Sequence, residues 1–173
     1  MAGPDPITVT NGQGALRRGR KLSVVVPGLN EERAIPALVE RLRPVLDGLG
    51  LEWEVIFVDD GSTDGTLALL RTLHGRDPRF KALALSRNFG KEIAAAAGLS
   101  YVTGDAAVLM DADLQHPPEL IRDFVARWNE GFDIVYGRRL DRDRHAVGLH
   151  QHGARRVRRR WTDPDRQGTE VSV

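Results

Sequence analysis

Apolar residues gather in five short runs along the chain, at residues 22–26, 53–58, 80–85, 106–110 and 133–136. None alternates cleanly between apolar and polar positions, so each predicts a strand buried on both faces rather than one half-exposed to water. Helix-like stretches separate the first four. Ile35, Leu38, Val39, Leu42, Val45, Leu46 and Leu49 recur at helical spacing, residues 66–73 and 93–102 predict two further helices, and a fourth is expected over residues 117–128. Pro117 and Pro118 suit its first turn, where a missing N–H is harmless, and Glu119 suits the positive end of the helix. Gly48, Gly50, Gly104 and Gly131 mark helix exits. Strands alternating with helices place the chain in the α/β class, with a mainly parallel sheet covered by helices on both faces.

The texture changes at both ends. Residues 1–20 lack the apolar core of a secretory signal and are expected to be a flexible leader. From residue 141 to 173 arginine and histidine crowd together, apolar residues thin out and no period persists, so no packed element is expected there. That stretch reads as a solvated basic tail; a polybasic patch for membrane or phosphate and a lost reading frame are the alternatives. The folded domain is expected over residues 21–140. A length of 173 residues fits one domain, and a net charge of +1 gives no global pull on nucleic acid, so no nucleic-acid partner is expected. With no cysteine, disulfides, thiolate zinc sites and cysteine nucleophiles are excluded, and any metal must sit on oxygen or imidazole. No run reaches the roughly 18 apolar residues that span a bilayer.

In open α/β sheets ligands bind beyond the carboxyl ends of the strands, so the residues that follow each run carry the functional information. Here they are polar: Pro27-Gly28-Leu29-Asn30-Glu31-Glu32 after the first, Asp59 to Gly65 after the second, Ser86 to Lys91 after the third, and Asp111-Ala112-Asp113-Leu114-Gln115-His116 after the fourth. Asp111 and Asp113, as alternate residues, can aim two carboxylates at one hard cation, with Gln115 adding a neutral oxygen; magnesium or manganese fits such donors. A cation there would neutralise charge on a departing diphosphate. An acidic turn capping the next helix is the bland alternative.

Asp59, Asp60 and Ser62 offer acceptors for the donors of a base and ribose, beside glycines that allow close backbone approach. Pro27, Asn30 and Glu31 join them from the neighbouring loop. Asp64 serves equally well as a helix cap or a ligand contact, and Glu32 reads as a solvated first-turn residue. Arg87 and Lys91 put two cations beside the same rim, where they would orient a phosphate or stand as plain surface charges. His116 reads as a loop residue.

Taken in order, residues 21–32, 54–66, 85–99 and 110–121 resemble four motif blocks of glycosyltransferase family 2. Within it, Leu85-Ser86-Arg87-Asn88-Phe89-Gly90-Lys91-Glu92 and Asp111 to Pro118 are most similar to the polyprenyl-phosphate branch, which includes bactoprenol glucosyltransferases and dolichol-phosphate mannosyltransferases. The resemblance implies a GT-A fold and a UDP- or GDP-sugar donor. It also implies a polyprenyl phosphate acceptor, inversion at the anomeric carbon, and peripheral membrane contact from the cytoplasmic side. It assigns the metal to Asp111, Asp113 and Gln115, and the nucleotide side to Asn30, Glu31, Asp59 and Asp60. Two departures stand out: Gly28-Leu29 replaces the aromatic residue the family commonly carries before the first-loop asparagine, and the resemblance fades after Arg139, so a truncated chain is expected. The rival readings are a module that binds nucleotide sugar without turnover and a family 2 transferase with a hydroxyl acceptor. A dinucleotide oxidoreductase is disfavoured because no G-x-G-x-x-G turn follows the first strand.

Overall fold

The computed structural model describes residues 20–141, 144–150 and 170–172. The elements run β1 (Lys21–Gly28), α1 (Ala34–Asp47), β2 (Glu52–Asp59), α2 (Thr66–Arg76), β3 (Phe80–Ala84), α3 (Lys91–Ser100), β4 (Ala106–Leu109), α4 (Leu120–Asn129), β5 (Ile134–Asp141), β6 (Arg144–His150) and β7 (Glu170–Ser172). Five strands form one parallel sheet in the order β3-β2-β1-β4-β7. The fold class is therefore α/β, as the alternation of strand and helix predicts.

The continuous apolar runs do what their lack of alternation implies. The interior of β1 and nearly all of β2 are buried, because helices cover both sides of the sheet. Val24, Val26, Val55 and Phe57 face a core shared with Ile35, Leu38 and Leu42 of α1, Leu70 of α2, and Ile121 and Val125 of α4. Val25, Ile56 and Val58 face the other way, onto Ala94 of α3. That second layer is thin because α3 presents small residues. A Cβ built on Gly98 would lie 2.5 Å from Val25 Cγ1 and 2.7 Å from Val58 Cγ2, so only glycine lets the helix settle this close. Each fully buried aliphatic side chain contributes about 1.5–3 kcal/mol, which makes this sandwich the main source of stability.

At the amino-terminal edge of the sheet lies a buried charge that the apolar pattern does not announce. Glu54 is 1% exposed. Its carboxylate accepts from Lys21 Nζ at 2.8 Å, Lys81 Nζ at 2.7 Å, Ser23 Oγ at 2.6 Å, and both the N–H and hydroxyl of Thr103 at 2.8 Å. Burial alone would push this carboxyl up, but the donors outweigh it and hold it far below the usual carboxylate range. The network ties the starts of β1, β2 and β3 to the turn before β4.

Three expectations are corrected. The fifth apolar run does not extend the main sheet; β5 pairs antiparallel with β6, Ile134 opposite His150 and Arg139 opposite His145. Residues 144–150, expected to carry no packed element, thus form a strand, and residues 170–172 add β7 beside β4. A strand joined to its neighbour by two residues is specified largely by backbone pairing, which an apolar period does not register. Pro117 and Pro118 sit one turn before α4 rather than inside it: their carbonyls accept from the N–H groups of Leu120 and Ile121 at 3.1 Å, leading the chain into the helix. The expected leader, apart from Arg20, and much of the basic tail lie outside the described residues.

Candidate functional site

The strand order fixes where a crevice must open. From β1 the chain moves outward to β2 and β3, then returns to the opposite flank of β1 as β4, so the loops leaving β1 and β4 diverge at the carboxyl edge. A cavity of about 320 Å³ lies there. Its walls come from Pro27 at the end of β1, Leu29 and Glu31 after it, Asp60 after β2, Asn88, Lys91 and Ala94 around the start of α3, and Asp111 and Asp113 after β4. Four loops from four strands therefore converge as their polar composition predicts.

Ala112 turns into the core at 2% exposure, which throws its neighbours Asp111 and Asp113 onto the cavity. The turn that follows is held in an unusual conformation. Leu114 has φ +58°, a left-handed backbone costing a leucine about 1–2 kcal/mol, and its side chain packs against the main core. This bend brings the Gln115 N–H back onto Asp113 Oδ1 at 3.0 Å. Gln115 itself is exposed and does not line the cavity.

Glu31 faces the same space. Its carboxyl is pushed up from the ordinary value, first by burial and then by Asp113, Asp111 and Asp64. Three carboxylates, Glu31, Asp111 and Asp113, therefore crowd one cavity, an arrangement that a cation would relieve. Among the described residues no three His, Asp or Glu side chains already stand in ligand geometry around one point. The donor set is all oxygen and fits a hard divalent ion that keeps other positions for waters or phosphate oxygens. Lys91 Nζ stands 2.6 Å from Asp111 Oδ1.

Behind this inner ring the remaining loop residues hold one another. Asn30, at φ +59°, donates its N–H to Ser62 Oγ at 2.8 Å, while its Oδ1 accepts from the Thr63 N–H at 2.9 Å. Asp59, 2% exposed, accepts from the Ser62 N–H at 3.1 Å. Asp64 accepts from the Thr66 N–H at 3.0 Å, at the start of α2. Glu32, exposed as expected, also accepts from the Gly65 N–H at 2.9 Å. The first two polar loops are thus laced together through Asn30 and Glu32.

Asp60 does the same for the third loop. Only 3% exposed, it accepts from the N–H groups of Phe89 at 2.8 Å and Gly90 at 2.9 Å. Beside it Gly61, at φ +74°, lies against the backbone of Arg87 and Asn88, where a Cβ would come within 2.5 Å. Arg87 stacks its guanidinium over the Phe89 ring at 4.1 Å and does not line the cavity.

Of the residues singled out by sequence, Pro27, Glu31, Asp60, Lys91, Asp111 and Asp113 share the cavity wall. Asn30, Asp59 and Ser62 brace the loops behind it. Leu29 and Asn88 lie in the named loops without having been assigned a role, and Ala94 was missed. The signal for Ala94 was the alanine run on α3, since a small-residue helix face permits close approach.

The family match runs past Arg139, where the resemblance was expected to fade. The model described as "Glycosyl transferase family 2" matches residues 23–170. An uncharacterized glycosyltransferase of Synechocystis is 48% identical over 122 residues, covering 70% of this chain and 38% of that protein. The undecaprenyl-phosphate 4-deoxy-4-formamido-L-arabinose transferase of Salmonella paratyphi B is 41% identical over 117 residues, covering 67% of this chain and 36% of its own length. Among solved structures, S. aureus TarS 1–349 in complex with UDP-GlcNAc superposes with a TM-score of 0.51 at 30% identity, covering 67% of this chain and 33% of that one. The chain thus spans little more than a third of the curated relatives it matches.

Proposed function

The chain belongs to glycosyl transferase family 2 and carries the α/β GT-A fold, and on that footing we propose that its cavity binds a UDP- or GDP-sugar together with Mg2+ or Mn2+ for transfer of the hexose to a polyprenyl phosphate. The observation that carries this reading is the convergence of Asp111, Asp113 and Glu31 on one cavity at the switch between β1 and β4. Asp111 and Asp113 would hold the cation, with Gln115 beside them. When bound, a divalent ion supplies Lewis-acid neutralisation of the diphosphate.

The chain's own residues supply the rest. Pro27 and Leu29 give the nucleotide an apolar wall, and Asp60 keeps the third loop at the cavity rim by fixing the amides of Phe89 and Gly90. Asn30, Asp59 and Ser62 set the shape of the nucleotide side. Lys91 and Arg87 offer positive charge to phosphate groups approaching from the side of α3. In the proposed step an acceptor phosphate oxygen forms a bond to the anomeric carbon as the bond from that carbon to the diphosphate breaks, which inverts the centre. Phosphate is already ionised near neutral pH, so little general-base help is needed.

A relative named for undecaprenyl phosphate and a neighbour solved with UDP-GlcNAc support the acceptor and donor classes. Among the described residues no helix is long and apolar enough to cross a membrane; peripheral contact at the cytoplasmic membrane face is part of the proposal. The second reading is donor binding without turnover. Incubation with labelled UDP- or GDP-sugars, Mn2+ and undecaprenyl phosphate separates the two. Labelled lipid product is expected. Nucleotide binding with no lipid product gives the binding-only module, and product on a polysaccharide acceptor alone removes the lipid.

A further inference from the structure

Helix α3 begins at the cavity wall, and its first residue is a lysine. The Lys91 ammonium lies 2.6 Å from Asp111 Oδ1, with side chains 64% and 32% exposed. Among the described residues it is the sole cation in ion-pair contact with Glu31, Asp111 or Asp113. A cation bound to the Asp111 carboxylate would stand within a few ångströms of the ammonium, and the two positive charges would repel. Cation and ammonium therefore compete for Asp111.

Resting on the donor-site reading above, we propose that Lys91 is a placeholder for the divalent cation, holding Asp111 in the cation-free protein and moving to the phosphates of the nucleotide when cation and nucleotide arrive together. The exchange is feasible because exposed ion pairs are weak and the lysine stem is flexible. The neighbouring N–H of Gly90 is fixed by Asp60, so the stem swings from an anchored base. Lys91 is thus a positioning residue that couples two binding events. A cation alone must displace an ammonium from its carboxylate. With a nucleoside diphosphate present the ammonium has a second anion to pair with, so each ligand tightens the other by the same factor.

Free Mn2+ followed by electron paramagnetic resonance tests this on the full chain, titrated with and without UDP and, in parallel, GDP. Wild type, Lys91→Met, Lys91→Gln and Asp111→Asn are compared, with circular dichroism confirming the fold. In the wild type, nucleotide is expected to tighten Mn2+ binding about tenfold or more, within the usual range for coupled sites. Each neutral Lys91 variant is expected to bind Mn2+ alone several-fold more tightly than wild type and to lose a comparable factor of the gain from nucleotide. Asp111→Asn loses Mn2+ in every condition. Lys91 variants that bind Mn2+ alone no better than wild type, or that keep the full gain, overturn the placeholder role and leave the donor site standing. A wild type that takes up no Mn2+ with either nucleotide overturns both.

Discussion

The carboxylate of Asp60, at the end of β2, accepts the N–H of Gly90, at the start of α3, across 2.9 Å, and its second acceptor contact takes the N–H of Phe89 at 2.8 Å. One buried side chain thereby fixes the entry of the helix that carries Lys91 into the cavity wall. Asparagine at this position would present an amide N–H to one of two backbone donors. Asp60→Asn is therefore expected to cost about 1 kcal/mol of stability, the usual net worth of one hydrogen bond, because the Gly90 N–H keeps Asn88 Oδ1 as a second acceptor, and to weaken UDP binding as the third loop loosens. Urea unfolding and UDP titration measure the two effects; a stability unchanged from wild type would remove the clamp from the account.

Glu31 behaves in the opposite sense to a stabilising carboxylate. Burial, then Asp113, Asp111 and Asp64, raise its carboxyl above the ordinary value. A raised carboxyl binds its proton more tightly in the folded than in the unfolded state, so its charge opposes folding at neutral pH and the strain is relieved as pH falls through the raised value. Glu31→Gln is expected to leave stability equal or higher while reducing Mn2+-assisted nucleotide uptake. Thermal unfolding at pH 7 beside a binding titration checks the pair of signs. A clear loss of stability would contradict the crowding of carboxylates.

Acid stability should be governed elsewhere, by carboxylates held low. The Arg79 guanidinium donates to both Asp77 oxygens, at 3.0 and 2.9 Å, and pulls that carboxyl down to about 2 from 3.8. Glu54 is held low by its lysines despite burial. Both contributions are fully present above the unfolded values and are lost as pH falls toward the folded ones, so unfolding is expected to set in below about pH 4. Glu54→Gln, which leaves Lys21 and Lys81 without their buried partner, should cost about 3 kcal/mol at neutral pH and flatten the acid limb. A denaturation series from pH 7 to about 2 measures it. An acid limb identical to wild type would sink the assignment.

Much of the sheet was legible because its strands are covered on both faces. Val24, Val25 and Val26 point alternately to two cores, and a run without polar gaps is the direct trace of that burial. The β5–β6 hairpin was not legible, since backbone pairing rather than an apolar period specifies it. At the site, the pairing of Asp111 with Asp113 could be read from their spacing around one small residue, Ala112. The hold of Asp60 on Phe89 and Gly90 could not, because its partners are backbone amides 29 and 30 residues away whose identity leaves no mark in the sequence. The contact of Lys91 with Asp111 likewise depends on strand order, which sets α3 and the end of β4 against one cavity.

The proposed function stands on Asp111 and Asp113 sharing a divalent cation with a nucleoside diphosphate in the cavity between β1 and β4. Calorimetric titration of UDP and GDP into the chain, with Mn2+ and with chelator, before and after the double substitution Asp111→Asn and Asp113→Asn, tests it most directly. Uptake of at least one nucleotide is expected to need Mn2+ and to fall by about two orders of magnitude or more in the double variant, on the scale expected when charged ligands to a cation are removed. Uptake that is indifferent to chelator, or that survives the double substitution in a folded protein, would contradict it.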